Sequence, residues 1–275
     1  MPFDPESGSV AFAKLGRYLN RLKKKPAPHT VHRFRTYSRR VEVILGDLVP
    51  EPSGNQRKLL RLLERLRRKA GKVRDLDVQI AALRGLKIPQ EPDRRARLMR
   101  TLLEERAQRE RKLPKVFSEE LVRELRKRLK RAAKETEIPK ETDPVAKAVR
   151  LFAEVDKDHA PVTEKKLHEF RLAGKRARYL AELASGGREA ERVVNELKHM
   201  QDVVGDWHDW LELSERARQL FGSVQESALV AALQNITRAK FRQSLQALAA
   251  AQAALLRKPT LGETAPHKRP GASAA

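Results

Sequence analysis

Two stretches of this chain repeat each other at a distance of 136 residues. His32–Arg40 (HRFRTYSRR) reappears as His168–Arg176 (HEFRLAGKR), with one histidine and three cations at i, i+3, i+7 and i+8. At about 100° per residue these side chains span about 140° of a helix, and the opposite arc is apolar. Each copy therefore predicts a helix with one buried face and one basic face. The shared positions are His32, Arg35, Arg39 and Arg40 in the first copy and His168, Arg171, Lys175 and Arg176 in the second.

The repeat extends into a second block with the pattern Gly-x-x-Arg/His-Asp. Gly71–Asp75 corresponds to Gly205–Asp209, at an offset of 134. Two blocks with matching order and spacing indicate a duplicated helical unit of roughly 130 residues, which is much longer than a solenoid repeat. We therefore expect two helical halves packed about a pseudo-twofold axis. The first would cover about residues 9–142 and the second about 143–257.

Leu, Ala, Arg, Lys and Glu recur at helical spacing along nearly the whole chain, and few segments alternate with the period of two that strands require. The chain is therefore predicted to be all-α, with Thr30 and Thr163 as N-caps of the two motif helices. Residues 258–275, rich in Pro, Gly and Ala, are predicted to be disordered. The predicted helices cover about 9–25, 30–48, 54–84, 92–112, 117–136, 143–156, 163–185, 188–219 and 223–256.

The charge of the chain points to a polyanionic partner. Lys and Arg outnumber Asp and Glu by 59 to 36, and the excess of +23 divides into +19 on residues 1–142 and +4 on residues 143–275. Such an excess costs self-repulsion in a compact fold and usually serves a polyanion. The absence of cysteine excludes disulfides and Cys-ligated zinc. Because we find neither a signal-peptide pattern nor an apolar run of membrane-spanning length, we expect a cytoplasmic protein without membrane insertion.

The paired motifs, each followed by its Gly-x-x-Arg/His-Asp block, resemble those of the CHAD domain, the conserved histidine α-helical domain. The resemblance runs from about residue 9 to about residue 257 as a single domain. It implies two four-helix bundles around a basic central cavity that binds inorganic polyphosphate, and an association with polyphosphate granules. The eight motif positions named above would then form the principal polyphosphate-binding surface, with no metal or other cofactor.

The basic faces of the two motif helices differ from an ordinary solvated surface. Solvated helices usually interleave acids with their cations, whereas the first motif, residues 32–40, contains no acid. Like charges at i, i+4 destabilise a helix, so their presence indicates a compensating anion. Asp75 and Asp209 are expected to orient the neighbouring cations. Accessory anion contacts are expected at Arg65, Arg68, Lys72 and Arg178, although the stripe that carries the first three fits a solvated face about equally well.

Inorganic polyphosphate and nucleic acids are both polyanions, and both release counterions when cations bind them. Proteins that bind single-stranded nucleic acid add aromatic platforms for the bases, and this chain is 5% aromatic. Trp207 and Trp210 are expected in or beside the core. The composition therefore favours polyphosphate, with a nucleic-acid-binding helical protein as the alternative.

Catalysis is not expected from this sequence. Many members of the family that it resembles are fused to a triphosphate-tunnel (CYTH) domain, but we find no β-rich segment, Glu-x-Glu-x-Lys motif or Walker sequence here. One enzymatic alternative stays open: His199, Asp202, Asp206 and Asp209 share one side of a predicted helix and could hold a metal ion for phosphate hydrolysis. Ion pairing of these carboxylates with nearby cations is the interpretation that we prefer.

Overall fold

The computed structural model describes residues 1–24, 27–86, 91–157 and 160–256, and the all-α prediction is confirmed over these ranges. Within them no helix combines the length and the apolar character that a membrane crossing requires. The predicted disorder of residues 258–275 lies outside the described residues. The helices are α1 (Pro5–Lys24), α2 (Pro28–Val43), α3 (Gly54–Gly85), α4 (Pro92–Val116), α5 (Glu119–Lys134), α6 (Pro144–Ala153), α7 (Glu164–Ala181), α8 (Arg188–Phe221) and α9 (Ala228–Leu256).

The two motif helices begin in different ways. At α7 the Thr163 hydroxyl accepts a hydrogen bond from the Lys166 backbone N–H at 3.2 Å, so the predicted N-cap is confirmed. The predicted cap at Thr30 is wrong, because α2 already begins at Pro28 and Thr30 is buried within its first turn. The fixed φ of proline suits the first helical position, where no N–H is needed. A π-helical turn, Ile44–Leu48, continues α2.

Two sets of helices meet at the motif helices. In the first half α2 packs against α1 and α3, while α5 packs against α1 and α3 and α4 packs against α3. In the second half α7 packs against α6 and α8, and α9 runs along α8. The halves touch where α2 contacts α7 and where α3 contacts α8. The motif helices therefore lie at the junction, while the pseudo-twofold relation itself stays a prediction.

Two hydrophobic cores hold these helices together. The larger one joins both halves and contains the phenylalanines of the two motifs, Phe34 packed on Phe117 and Phe170 packed on Phe152. Helices α3 and α8 have 32 and 34 residues, and at 1.5 Å per residue they extend for about 50 Å, beyond this core. Their far ends form a second core with α4 and α9. Its buried residues are Leu76, Ile80, Leu83, Leu86, Leu98, Leu102, Leu213, Ala217, Leu229, Val230 and Leu233.

Candidate anion-binding site

The packing of α2 against α7 brings the i+3 and i+7 cations of both motifs together. Burial, and after it the positive charge of Arg67 on α3, lowers the pKa of both Arg35 and Arg39, and the charge of Arg35 also lowers the pKa of Arg39. The Lys175 ammonium on α7 lies within the same field. We call this group the central cation cluster. It consists of Arg35, Arg39, Arg67, Arg171 and Lys175.

Burial and mutual repulsion make this cluster electrostatically costly without a ligand. Burial, followed by the charges of Arg171, Arg39 and Arg35, lowers the pKa of Lys175 to about 7. Burial and Arg67 lower the pKa of Arg39 to about 10. Lys175 forms no ion pair with any residue that the structure describes, and the buried Nε of Arg171 has no hydrogen-bond partner there. The cluster therefore has positive charge that the surrounding carboxylates leave uncompensated.

Gly71 makes room for Arg35. A Cβ atom at position 71 would lie closer than 3.0 Å to Nη1 of Arg35 and 3.3 Å from its Cζ, so the guanidinium lies directly on the glycine of α3. Nη2 of Arg35 lies 3.7 Å from Oδ1 of Asp75, one helical turn further along α3. A Cβ atom added at the matching Gly205 of α8 would have no neighbouring atom within 4 Å. The two glycines of the duplicated block therefore differ in function.

The histidine of each motif lies beside the fourth residue of the second block in its own half. His32 is near Arg74, and the rings of His168 and His208 are 5.3 Å apart. Burial is the main cause that lowers the pKa of both motif histidines, followed by Arg74 for His32 and by His208 for His168. Both therefore gain a proton at a lower pH than free histidine, whose pKa is about 6.5.

Two carboxylates border the central cation cluster on the α2–α3 side. Nε of Arg67 donates a hydrogen bond to Oε1 of Glu42 at 2.9 Å. Burial raises the pKa of Asp75, and the nearby Arg35 acts in the opposite direction. Asp75 thus lies beside a cluster cation. Asp209 lies 3.9 Å from His208, and its charge opposes the burial that lowers the pKa of Lys175, so both carboxylates act on the cluster and their orienting role stays a prediction.

The i+8 arginines are not part of the cluster; each forms an ion pair across the junction instead. Nη2 of Arg40 on α2 lies 2.7 Å from Oε2 of Glu182, just after α7. Nε of Arg176 on α7 donates to Oδ2 of Asp47 at 2.9 Å, in the π-helical turn after α2. Arg178, expected as an accessory contact, also faces Glu182, at 3.6 Å. These three predicted anion contacts are therefore engaged in ion pairs between or beside the motif helices.

The other accessory residues lie on the exposed face of α3. Arg68 is 3.7 Å from Glu64, in an exposed pair that contributes little to stability. Arg65 and Lys72 are exposed and form no ion pair with a described residue. Their contact with a ligand stays a prediction.

The candidate metal-binding residues of α8 do not converge. Over the described ranges no group of three His, Asp or Glu side chains is placed to hold a metal ion. Asp206 faces Lys240 of α9, with 2.7 Å between Oδ2 and Nζ. Asp202 is exposed. Ion pairing, the preferred interpretation of the sequence, therefore describes Asp206.

In the part of the chain that the structure describes, the aromatic side chains of the motif helices are buried, including Tyr179, which lines the groove beside Arg39. Phe34 and Phe170 are fully buried, and Trp207 is 1% exposed. Trp210 packs against the second core. The expectation that both tryptophans belong in or beside the core is confirmed.

Sequence reasoning missed Arg67, which is separated from the motif by a whole helix. A signal was present, because Arg67, Gly71 and Arg74 follow each other at i, i+4 and i+7 and so share one face of α3. A groove of about 970 Å³ opens beside Arg39 and Arg67. This groove is of mixed charge, because it is also lined by four carboxylates, Glu42, Asp47, Glu154 and Glu169. A uniformly basic central cavity therefore stays a prediction.

Comparison with known proteins agrees with this architecture. The crystal structure of the CHAD domain from the plant Ricinus communis matches with a TM-score of 0.65, over 92% of this chain and 90% of that one. The two are 17% identical, so the likeness concerns the fold. No curated protein matches. The family model described as the CHAD domain matches residues 9–218, which is more than half of the sequence, and the chain therefore belongs to the CHAD domain family.

Proposed function

We propose that this protein binds inorganic polyphosphate at the central cation cluster. The observation that carries the proposal is the half-buried group of like charges in which Lys175 forms no ion pair with a described residue, and in which burial and three arginines outweigh the opposing charge of Asp209. Charges held away from water are costly unless an anion compensates them. A phosphate polymer supplies that anion and can contact α2 and α7 at the same time.

Three features support polyphosphate over other anions. Arginine offers a planar fork that matches two phosphate oxygens, and lysine adds a point charge. The aromatic side chains that would stack on bases are buried, which disfavours single-stranded nucleic acid. The CHAD family is associated with polyphosphate binding in general.

Within this proposal the eight motif positions have unequal parts. Arg35, Arg39, Arg171 and Lys175 contact the polymer together with Arg67. His32 and His168 lie at the margins and contribute when protonated. Arg40 and Arg176 contribute least, since each would first have to leave its carboxylate partner.

We further propose that the protein acts by binding and not by hydrolysis, in the cytoplasm and on polyphosphate granules. The duplicated feature of the chain is a set of cations, whereas the acidic residues considered for catalysis come from one half. Purified protein should release no orthophosphate from polyphosphate in the presence of Mg²⁺ or Mn²⁺. Turnover that is lost on Asp202→Asn or Asp206→Asn would contradict this.

The direct test reverses the charge of four cluster residues, Arg35, Arg39, Arg171 and Lys175, by substitution with glutamate. Binding of long-chain polyphosphate, measured by isothermal titration calorimetry at physiological salt, should be abolished while helicity stays near that of the wild type. A matched control changes the total charge equally, at exposed cations without ion pairs to described residues. These are Arg100, Arg111, Lys112 and Arg188. Equal loss in both variants, or unchanged affinity in the first, would contradict the site assignment.

A competition titration separates polyphosphate from nucleic acid. Long-chain polyphosphate, single-stranded RNA and duplex DNA are compared at matched phosphate concentration. Long-chain polyphosphate should bind most tightly of the three. It should also bind more tightly than short chains, because a longer polymer engages both halves and offers overlapping registers. Added salt should weaken its affinity steeply. Preference for either nucleic acid at physiological salt would favour the alternative function.

A further inference from the structure

A second surface lies between α1 and α5 and shares no lining residue with the central cation cluster. It is a groove of about 1360 Å³, which we call the α1–α5 groove. Its α1 side is lined by small residues, among them Gly8, Ser9, Ala13 and Gly16. Two of them are covered by other side chains, since Phe3 packs on Gly8 and Leu129 approaches Gly16.

The floor of the α1–α5 groove is apolar. Phe12, Val122 and Leu129 are buried beneath it, and Ile138 is half-buried at one end. None of these side chains belongs to the exposed large hydrophobics of the described residues, which are Leu103, Leu172 and Val224. The apolar surface is thus concave, and it suits an inserted side chain better than insertion of this protein into a membrane.

The rim of the groove is basic. Six cations line it, and none forms an ion pair with a residue of the described ranges. The other arginines of α5 behave differently, since Arg128 pairs with Glu124 and Arg131 pairs with Glu135. The cations are Arg17, Arg123, Arg126, Lys127, Lys130 and Lys134. Glu119 and Glu137 are the carboxylates of the lining, so the groove has a net excess of four positive charges.

The combination of an apolar floor and a basic rim selects the occupant. A bare phosphate polymer would satisfy the rim and leave the floor uncovered. The volume exceeds the range of about 300–1,000 Å³ that is usual for small-molecule pockets. A second copy of this chain would bring another strongly positive surface against the rim. A helix that lays apolar anchors at i, i+3 or i+4, and i+7 into a groove, with acidic residues on either side, fits both surfaces.

We propose that the α1–α5 groove docks an amphipathic α-helix with acidic flanks, contributed by another protein. Helix α5 has 16 residues and extends for about 24 Å, which matches about four turns of the partner. Leucine-type anchors lie on Phe12, Val122 and Leu129. Aspartate or glutamate side chains of the partner pair with the cations of the rim. This site is independent of polyphosphate binding, so the domain joins a polyanion to a partner protein.

The test uses a synthetic fluorescein-labelled helical peptide of about 18 residues, with leucine at anchor spacing and glutamate on both flanks. A scrambled peptide of the same composition and a lysine-flanked peptide are the comparisons. By fluorescence anisotropy at physiological salt, the acidic amphipathic peptide should bind at least about tenfold more tightly than either. Equal binding of the scrambled peptide, or no binding of the acidic one, would overturn the proposal.

Two groove variants and one control variant locate the binding. Ala13→Trp fills the groove at an exposed position of α1, and Ala96→Trp makes the same change at an exposed position of α4. Lys127→Glu combined with Lys130→Glu reverses the rim without filling the groove. The first and third should each weaken peptide binding at least about tenfold, and Ala96→Trp should leave it unchanged. Peptide binding that survives both groove variants would overturn the proposal. So would a protein that fails to bind the peptide but binds anionic vesicles, with the vesicle binding unchanged by Ala13→Trp.

Discussion

Substitution of Gly71 by alanine tests whether the position of Arg35 controls ligand binding. The added Cβ would overlap the Arg35 guanidinium, which must move off α3 and away from Asp75. The atom that moves is the far end of a flexible side chain, so the displacement is cheap for the fold. Gly205→Ala is the matched control, because it makes the same change at the equivalent position of α8, where nothing lies within 4 Å.

The two substitutions should differ in their effects on stability and on binding. Replacing glycine by alanine inside a helix stabilises by about 0.5–1 kcal/mol, so Gly205→Ala should raise the free energy of unfolding by that amount. Gly71→Ala should gain less or nothing, since part of the gain is offset by the displaced arginine. A hydrogen bond to a charged group contributes about 1.5–3 kcal/mol. Loss of one such contact to phosphate should weaken the affinity of Gly71→Ala roughly tenfold to a hundredfold.

The assay is isothermal titration calorimetry with long-chain polyphosphate, alongside urea unfolding of both variants. Arg35→Ala supplies the limiting value, because it removes the same guanidinium altogether. If Gly71→Ala is folded and binds as tightly as Gly205→Ala, then the displaced arginine is not a ligand contact. Equal weakening in both glycine variants would show that helix rigidity, and not Arg35, is responsible.

Two further predictions concern charge and capping. Because the folded-state pKa of Lys175 is lowered to about 7, affinity should fall as the pH rises from about 6 to about 9, and Lys175→Arg should flatten this dependence. The free-energy cost of the charged ammonium in the folded state is fully present below pH 7 and is relieved at higher pH. The stability of Lys175→Met should therefore exceed that of the wild type most at about pH 6. An advantage that grows with pH would contradict this. Thr163→Ala should lower the free energy of urea unfolding by about 1 kcal/mol through loss of the α7 cap, whereas Thr101→Ala, inside α4, should change it little.

The helical periodicity of the sequence predicts most of the helices, but it does not predict which side chains meet at the candidate site. The pattern predicts which face of α2 is polar, yet it does not say which helix lies opposite. Arg39 and Arg40 are about 100° apart around the helix, so one reaches the central cation cluster while the other reaches Glu182. The four motif positions share one face in the sequence pattern, but the packing separates the residue at i+8 from those at i+3 and i+7. The lowered pKa of His32 likewise depends first on burial and then on the charge of Arg74 from α3, which no single helix reveals.

The ion pairs of Arg40 with Glu182 and of Arg176 with Asp47 bear on how sequences of this kind vary. Under the proposed function the motif cations have two roles: those at i+3 and i+7 contact the ligand, and those at i+8 pair with a carboxylate of the opposite half. A change at i+8 should therefore be accompanied by a compensating change 142 or 129 residues away along the chain. At i+7, Arg39 and Lys175 form no ion pair with a described residue, so a change there has no such carboxylate to vary with. Co-variation among relatives would thus divide one short motif into residues that vary with the ligand and residues that vary with the opposite half.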